Sequence, residues 1–234
     1  MHMFSYVVLD SLIAIVFLSA VHLWAVKDSI DIWRKKLFSL ASGISVAYVF
    51  IDLLPKLSRG QSIWTRYNPN FPFLEKHVYF FALLGVLFFF GIERVELKNK
   101  AKSFWVSALA YITFNILIGY ALSNPSDPEI QPFILFTIAI ALHQWVRDHI
   151  LCLKDKKIFK KKLRYILVLA LFIGWGLGFL VDISPAAIAL IVAFIGGGMM
   201  INVFHYEVPS KSAHYLPFVL GSLIYAILLL FLGN

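Results

Sequence analysis

Eight stretches of this chain run apolar for about 15 to 22 residues each, separated by short charged or Pro- and Gly-bearing connections. About 20 apolar residues in helical form cross a bilayer. Backbone N–H and C=O groups in hydrocarbon must bond within their own segment, so helix is the form open to each stretch. The blocks fall at 5–26, 38–54, 77–92, 104–122, 133–151, 165–181, 186–204 and 216–232. The expected fold class is an all-α polytopic membrane protein with eight transmembrane helices in a single domain over 1–234. Composition agrees. With 60% hydrophobic and 15% charged residues, against about 45–50% and about 25% in soluble chains, there is more apolar area than a soluble core can hide. A soluble enzyme and a disordered chain are excluded. The first block lacks both a basic leader and a small-residue cleavage site, so it is expected to be a retained helix. The one cysteine, Cys152, excludes an internal disulfide and a cysteine metal cluster.

Basic residues set the expected orientation. The connections 27–37, 93–103, 152–164 and 205–215 together carry sixteen Lys and Arg, whereas 55–76 carries four and the other connections none. Lys and Arg are retained in the cytoplasm, so both termini are expected on the non-cytoplasmic side of a plasma or inner membrane. The run "KDKKIFKKKLR" reads as a loop beside lipid headgroups, not as a nucleic-acid site. The connection 55–76 carries Trp64, Tyr67, Phe71 and Phe73 around Pro69 and Pro72. These aromatics are expected to lie on the outer interface.

Polar groups inside apolar blocks are costly unless partnered. Asn115 lies near the middle of the fourth block. The fifth holds "LHQWVRD", in which His143 and Arg147 are four apart, as are Gln144 and Asp148 on a stripe turned by about 100°. Arg147 needs a carboxylate or water, and Glu207 is its expected first partner. His22, His149 and His205 are expected as interfacial histidines at helix ends. No HExxH, His-rich loop, nucleophile motif or phosphate-cradling loop is present, and no pair stands out as nucleophile and base, so an enzyme is not expected. The small-residue runs "GWGLG" (174–178) and "GGG" (196–198) are expected to serve close helix packing.

Laying Pro55 over Pro209 matches Gly43 with Gly197, Val49 with Val203 and Phe50 with Phe204. One segment is the second block from the N-terminus and the other the second from the C-terminus. The alternating topology sends them across in opposite directions, the sequence aspect of a 3+2+3 inverted-repeat bundle.

These segments resemble the ZIP family of divalent metal transporters. "ASGISVAYVFIDLLPKL" is similar to that family's second helix, with Asp52 at a histidine position and Lys56 in place of an acid. "AFIGGGMMINVFHYEVP" is similar to its seventh. In the fourth block Asn115 and Gly119 match a His-Asn-x-x-Asp/Glu-Gly signature, while Phe114 and Ile118 replace a histidine and a carboxylate. In the fifth, His143 matches, Gln144 replaces a carboxylate, Arg147 replaces a second histidine and Asp148 keeps an acid. The resemblance implies a transporter for zinc, iron or manganese, with Asn115, His143, Gln144 and Asp148 as metal ligands. Asp52, Arg147, His205 and Glu207 then belong to a pathway or network. No cofactor is required, and the partners are the lipid bilayer and a second copy in a homodimer. The substituted ligand positions motivate a second reading, a ZIP-like scaffold or regulatory membrane protein that has lost the metal site. Arg147 alone motivates a third, transport of an anion or small organic solute.

Overall fold

A computed structural model of the protein describes residues 2–24, 32–67, 76–94, 100–123, 130–181, 183–207 and 214–232. In chain order these form α1 (His2–Trp24), α2 (Ile32–Tyr48), α3 (Leu54–Tyr67), α4 (His77–Arg94), α5 (Lys100–Ser123), α6 (Ile130–Lys154), α7 (Lys156–Ile158), α8 (Arg164–Leu180), α9 (Pro185–Asn202) and α10 (Tyr215–Leu232). Three π-helical turns join or extend them. Val49–Leu53 links α2 to α3, Phe159–Leu163 links α7 to α8, and Val203–Glu207 prolongs α9. Among the described residues there is no strand.

The continuous helices Lys35–Tyr67, Lys102–Ser123, Lys156–Leu180, Pro185–His205 and Tyr215–Leu232 are long and apolar enough to cross a membrane, and Val8–Trp24 and His77–Ile92 are shorter apolar helices. Much of the exterior is apolar. Leu220, Leu223, Ile227 and Phe231 of α10 and Leu169, Ile173 and Leu180 of α8 face outward. An apolar exterior of this extent is consistent with a lipid-embedded, polytopic protein.

Two connections differ from expectation. The second block does not stop at Pro55: the helix continues to Tyr67. Proline lacks a donor and crowds the carbonyl a turn before it. The π turn accommodates both, because the N–H of Leu54 bonds five residues back to Val49 O and the wider turn precedes the ring. Trp64 and Tyr67 therefore lie on α3, while Pro69, Phe71, Pro72 and Phe73 are outside the described residues. The basic run at 152–164 is helix too, broken only at Asp155. Asp155 Oδ1 accepts from the N–H of Ile158 at 2.8 Å, capping α7. Phe159 and Leu163 turn inward and are fully buried, which leaves the lysines to the outer face.

The packing follows the glycines. The main pairings are α5 with α8, α2 with α10, and α4 with α9. Each is built reciprocally, with a glycine of each helix set under a carbonyl of its partner: Gly119 under Leu171 and Gly174 under Ile116, Gly43 under Phe218 and Gly221 under Leu40, Gly85 under Phe194 and Gly197 under Ala82. A Cβ at any of the six would overlap that oxygen. Small residues that admit a neighbouring backbone are how membrane helices gain contact where apolar burial gives no drive. Around these crossings α1 lies against α5, α6 and α8, while α3 packs on α4 and α9. The main core runs through Ile15, Leu18, Tyr48, Phe114, Ile118 and Leu171. A smaller one joins Leu57, Val78, Ala82, Ala189 and Ala193 between α3, α4 and α9.

The π turns at Val49–Leu53 and Val203–Glu207 are separated by the same shift, 203 less 49 or 154, that superposes Pro55 on Pro209. Val49 and Val203 are both fully buried. Phe50 meets its counterpart Phe204 edge to face, with ring centroids 6.0 Å apart. Pro209 itself, like Asp182, is outside the described residues.

Candidate functional site

Three helices bring polar side chains into the core, each on its buried stripe. On α1 the residues Ser11, Ile15, Leu18 and His22 recur at helical spacing and are all buried. On α5 the same holds for Ala108, Tyr111, Asn115, Ile118 and Leu122, and on α6 for Ile140, Gln144, Arg147, Asp148 and Leu151. His22, Asn115, Gln144 and Asp148 are at most 1% exposed.

They form one network. His22 Nδ1 lies 2.7 Å from Asp148 Oδ2, and His22 Nε2 lies 3.0 Å from Asn115 Oδ1. Gln144 Nε2 donates to the same Asn115 oxygen at 2.9 Å. Asn115 Nδ2 donates to Tyr111 O at 2.8 Å, and the Tyr111 hydroxyl donates to the Gln144 carbonyl at 3.3 Å. The donor logic is closed. With its nitrogen committed to a carbonyl, Asn115 must present its oxygen to His22, so His22 Nε2 carries a proton. One further proton lies in the bond between His22 Nδ1 and Asp148 Oδ2. Whichever atom holds it, the pair is neutral overall. Two buried oxygens, Asp148 Oδ1 and Gln144 Oε1, have no hydrogen-bond donor among the described residues.

Arg147 is buried and turns toward α5. Its Cζ lies 5.7 Å from the centre of the Tyr111 ring, within range for a cation over an aromatic face. The Arg147 guanidinium carries its positive charge beside this network. Its expected partner Glu207 belongs to the third π turn, and the Glu207 side chain is outside the described residues.

The other sequence candidates lie apart. His143 is buried with its ring centroid 5.8 Å from that of Phe114, which also packs edge to face on Phe89. An aromatic ring thus stands against the histidine that the ZIP resemblance makes a metal ligand. Asp52 pairs with Lys56 at 2.7 Å, one turn along the same helix. Lys56 Nζ also stands 5.2 Å from the Phe136 ring centre. His205 is exposed, its ring edge-on to Phe90 at 6.1 Å. Among the described residues no three His, Cys, Asp or Glu side chains are grouped as a metal ion would need.

His22 is not the interfacial residue expected from its place near the end of α1; it is buried at the centre of the network. The signal was available. Ser11, Ile15, Leu18 and His22 are spaced four, three and four apart, which puts the histidine on the inward stripe. A second link ties α1 to α8, where Trp175 Nε1 donates to Ser11 Oγ at 2.9 Å. No protein-family model and no curated protein sequence matches this chain.

Proposed function

We propose that this protein is a ZIP-like 3+2+3 membrane bundle acting as a scaffold or regulatory membrane protein, with its ancestral metal seat converted into a fixed hydrogen-bonded network. One observation carries the reading: two of the four side chains expected to hold metal, Asn115 through Oδ1 and Asp148 through Oδ2, are engaged by the His22 ring. Arg147 adds to it, since a buried guanidinium over the neighbouring Tyr111 ring opposes an incoming divalent charge. The matched π turns and the Phe50–Phe204 contact support the inverted repeat.

The test is flux. Purified protein in liposomes, loaded with a metal-sensitive dye, is expected to pass no Zn, Mn, Fe or Co above empty vesicles. Saturable flux lost in Asp148→Asn would replace this reading by divalent-metal transport, which Asp148 Oδ1 and Gln144 Oε1, without a donor among the described residues, favour. The same preparation tests the remaining parts of the proposal, a homodimer by mass and non-cytoplasmic termini by labelling.

A further inference from the structure

We propose that His22 is the resident occupant of a seat formed by Asp148 and Asn115, and that this seat selects a planar N–H donor of the imidazole type over a divalent metal. The proposal deepens the scaffold reading and rests on it. The seat has two acceptors on different helices, Asp148 Oδ2 on α6 and Asn115 Oδ1 on α5, and they receive the two nitrogens of one five-membered ring at 2.7 and 3.0 Å. Metal ions bind such oxygens in a shell of four or more ligands that are free of protons. Here Asn115 Oδ1 already takes two N–H groups, from His22 and Gln144, which fills both of its lone pairs. It cannot turn to offer another arrangement, because its amide nitrogen is held by Tyr111 O. A flipped amide would set N–H against N–H on two sides. The seat therefore demands a flat, ring-sized occupant that donates an N–H to Asn115 Oδ1 and shares one proton with Asp148 Oδ2, and α1 supplies one from its last turn.

The consequence is that removing the ring leaves a vacancy with the ring's own selectivity. In His22→Gly, held in lipid nanodiscs, imidazole is expected to raise the midpoint of thermal unfolding by about 3 °C or more. 1-Methylimidazole, which carries a methyl group in place of the ring N–H, and Zn2+ should give no such rise, and wild-type protein should respond to none of the three. Stabilisation of the variant by Zn2+ and not by imidazole would overturn the proposal, as would a folded variant indifferent to imidazole. Should His22→Gly fail to fold, nitrogen NMR on histidine-labelled wild-type protein decides, with the His22 signal assigned by its loss in His22→Gln. A protonated Nε2 supports the seat, and an unprotonated Nε2 removes it. The two levels separate cleanly. Metal flux through the wild-type protein defeats the proposed function, whereas the imidazole and Zn2+ titrations decide the seat.

Discussion

At the scale of single residues, the network is valuable as a set and costly in fragments. Removing one member of a buried charged pair strands the other, at about 3–5 kcal/mol, while replacing both by apolar groups of similar shape is often neutral. Asp148→Leu is therefore expected to destabilise strongly, and His22→Leu with Asp148→Leu to recover most of that loss. Unfolding measurements on the two singles and the double, treated as a cycle, check this; simple additivity would mean that the two side chains do not act together. Asn115→Leu should cost at least as much as either single, since it leaves the N–H donors of His22 and Gln144 without their shared acceptor. Part of this site was legible in the sequence. Asn115, Gln144 and Asp148 stand out because polar groups in apolar blocks demand partners, and the structure brings those three together. His22 was hidden by its position two residues from the end of α1, where a histidine also reads as an interfacial one. Arg147 lies over Tyr111, and the side chain of Glu207, the carboxylate expected for it, is outside the described residues. An aromatic face has no charge by which sequence could announce it.

At the scale of elements, the helices are legible and their ends less so. Apolar length marks the helical blocks, but proline and lysine mislead at 55 and 154–164, because local punctuation can be overruled by a widened turn or by inward anchors such as Phe159 and Leu163. The glycines are informative only once their partners are known. Gly197→Ala is expected to push α4 from α9 and cost about 1–3 kcal/mol as overpacking. Gly176→Ala, where nothing lies within 4 Å of an added Cβ, should be neutral or gain up to about 1 kcal/mol from helix propensity. Thermal unfolding of the pair checks the contrast, and equal losses would show that the close crossing is not what selects glycine. Asp155→Ala should loosen the start of the helix at α7 by about 1 kcal/mol, seen as faster amide exchange at Lys156–Ile158.

At the scale of the whole molecule, single cysteines report topology, since the native Cys152 is buried. Labels at residues 3 and 126 are expected to react from outside, and a label at 157 only after the membrane is opened to the cytoplasm. Labelling of 126 from the cytoplasm alone would reverse the span assignment. On the inverted-repeat reading, the paired π turns also bear on the history of the chain. A turn closed over five residues instead of four holds one residue more than the α-helix around it. The two turns then stand at corresponding places, 154 residues apart. One insertion in an ancestral three-helix unit, copied when that unit was duplicated, accounts for both, whereas two later insertions would have had to strike the same turn independently. On that reading the widened turn is older than the duplication that set it at both places.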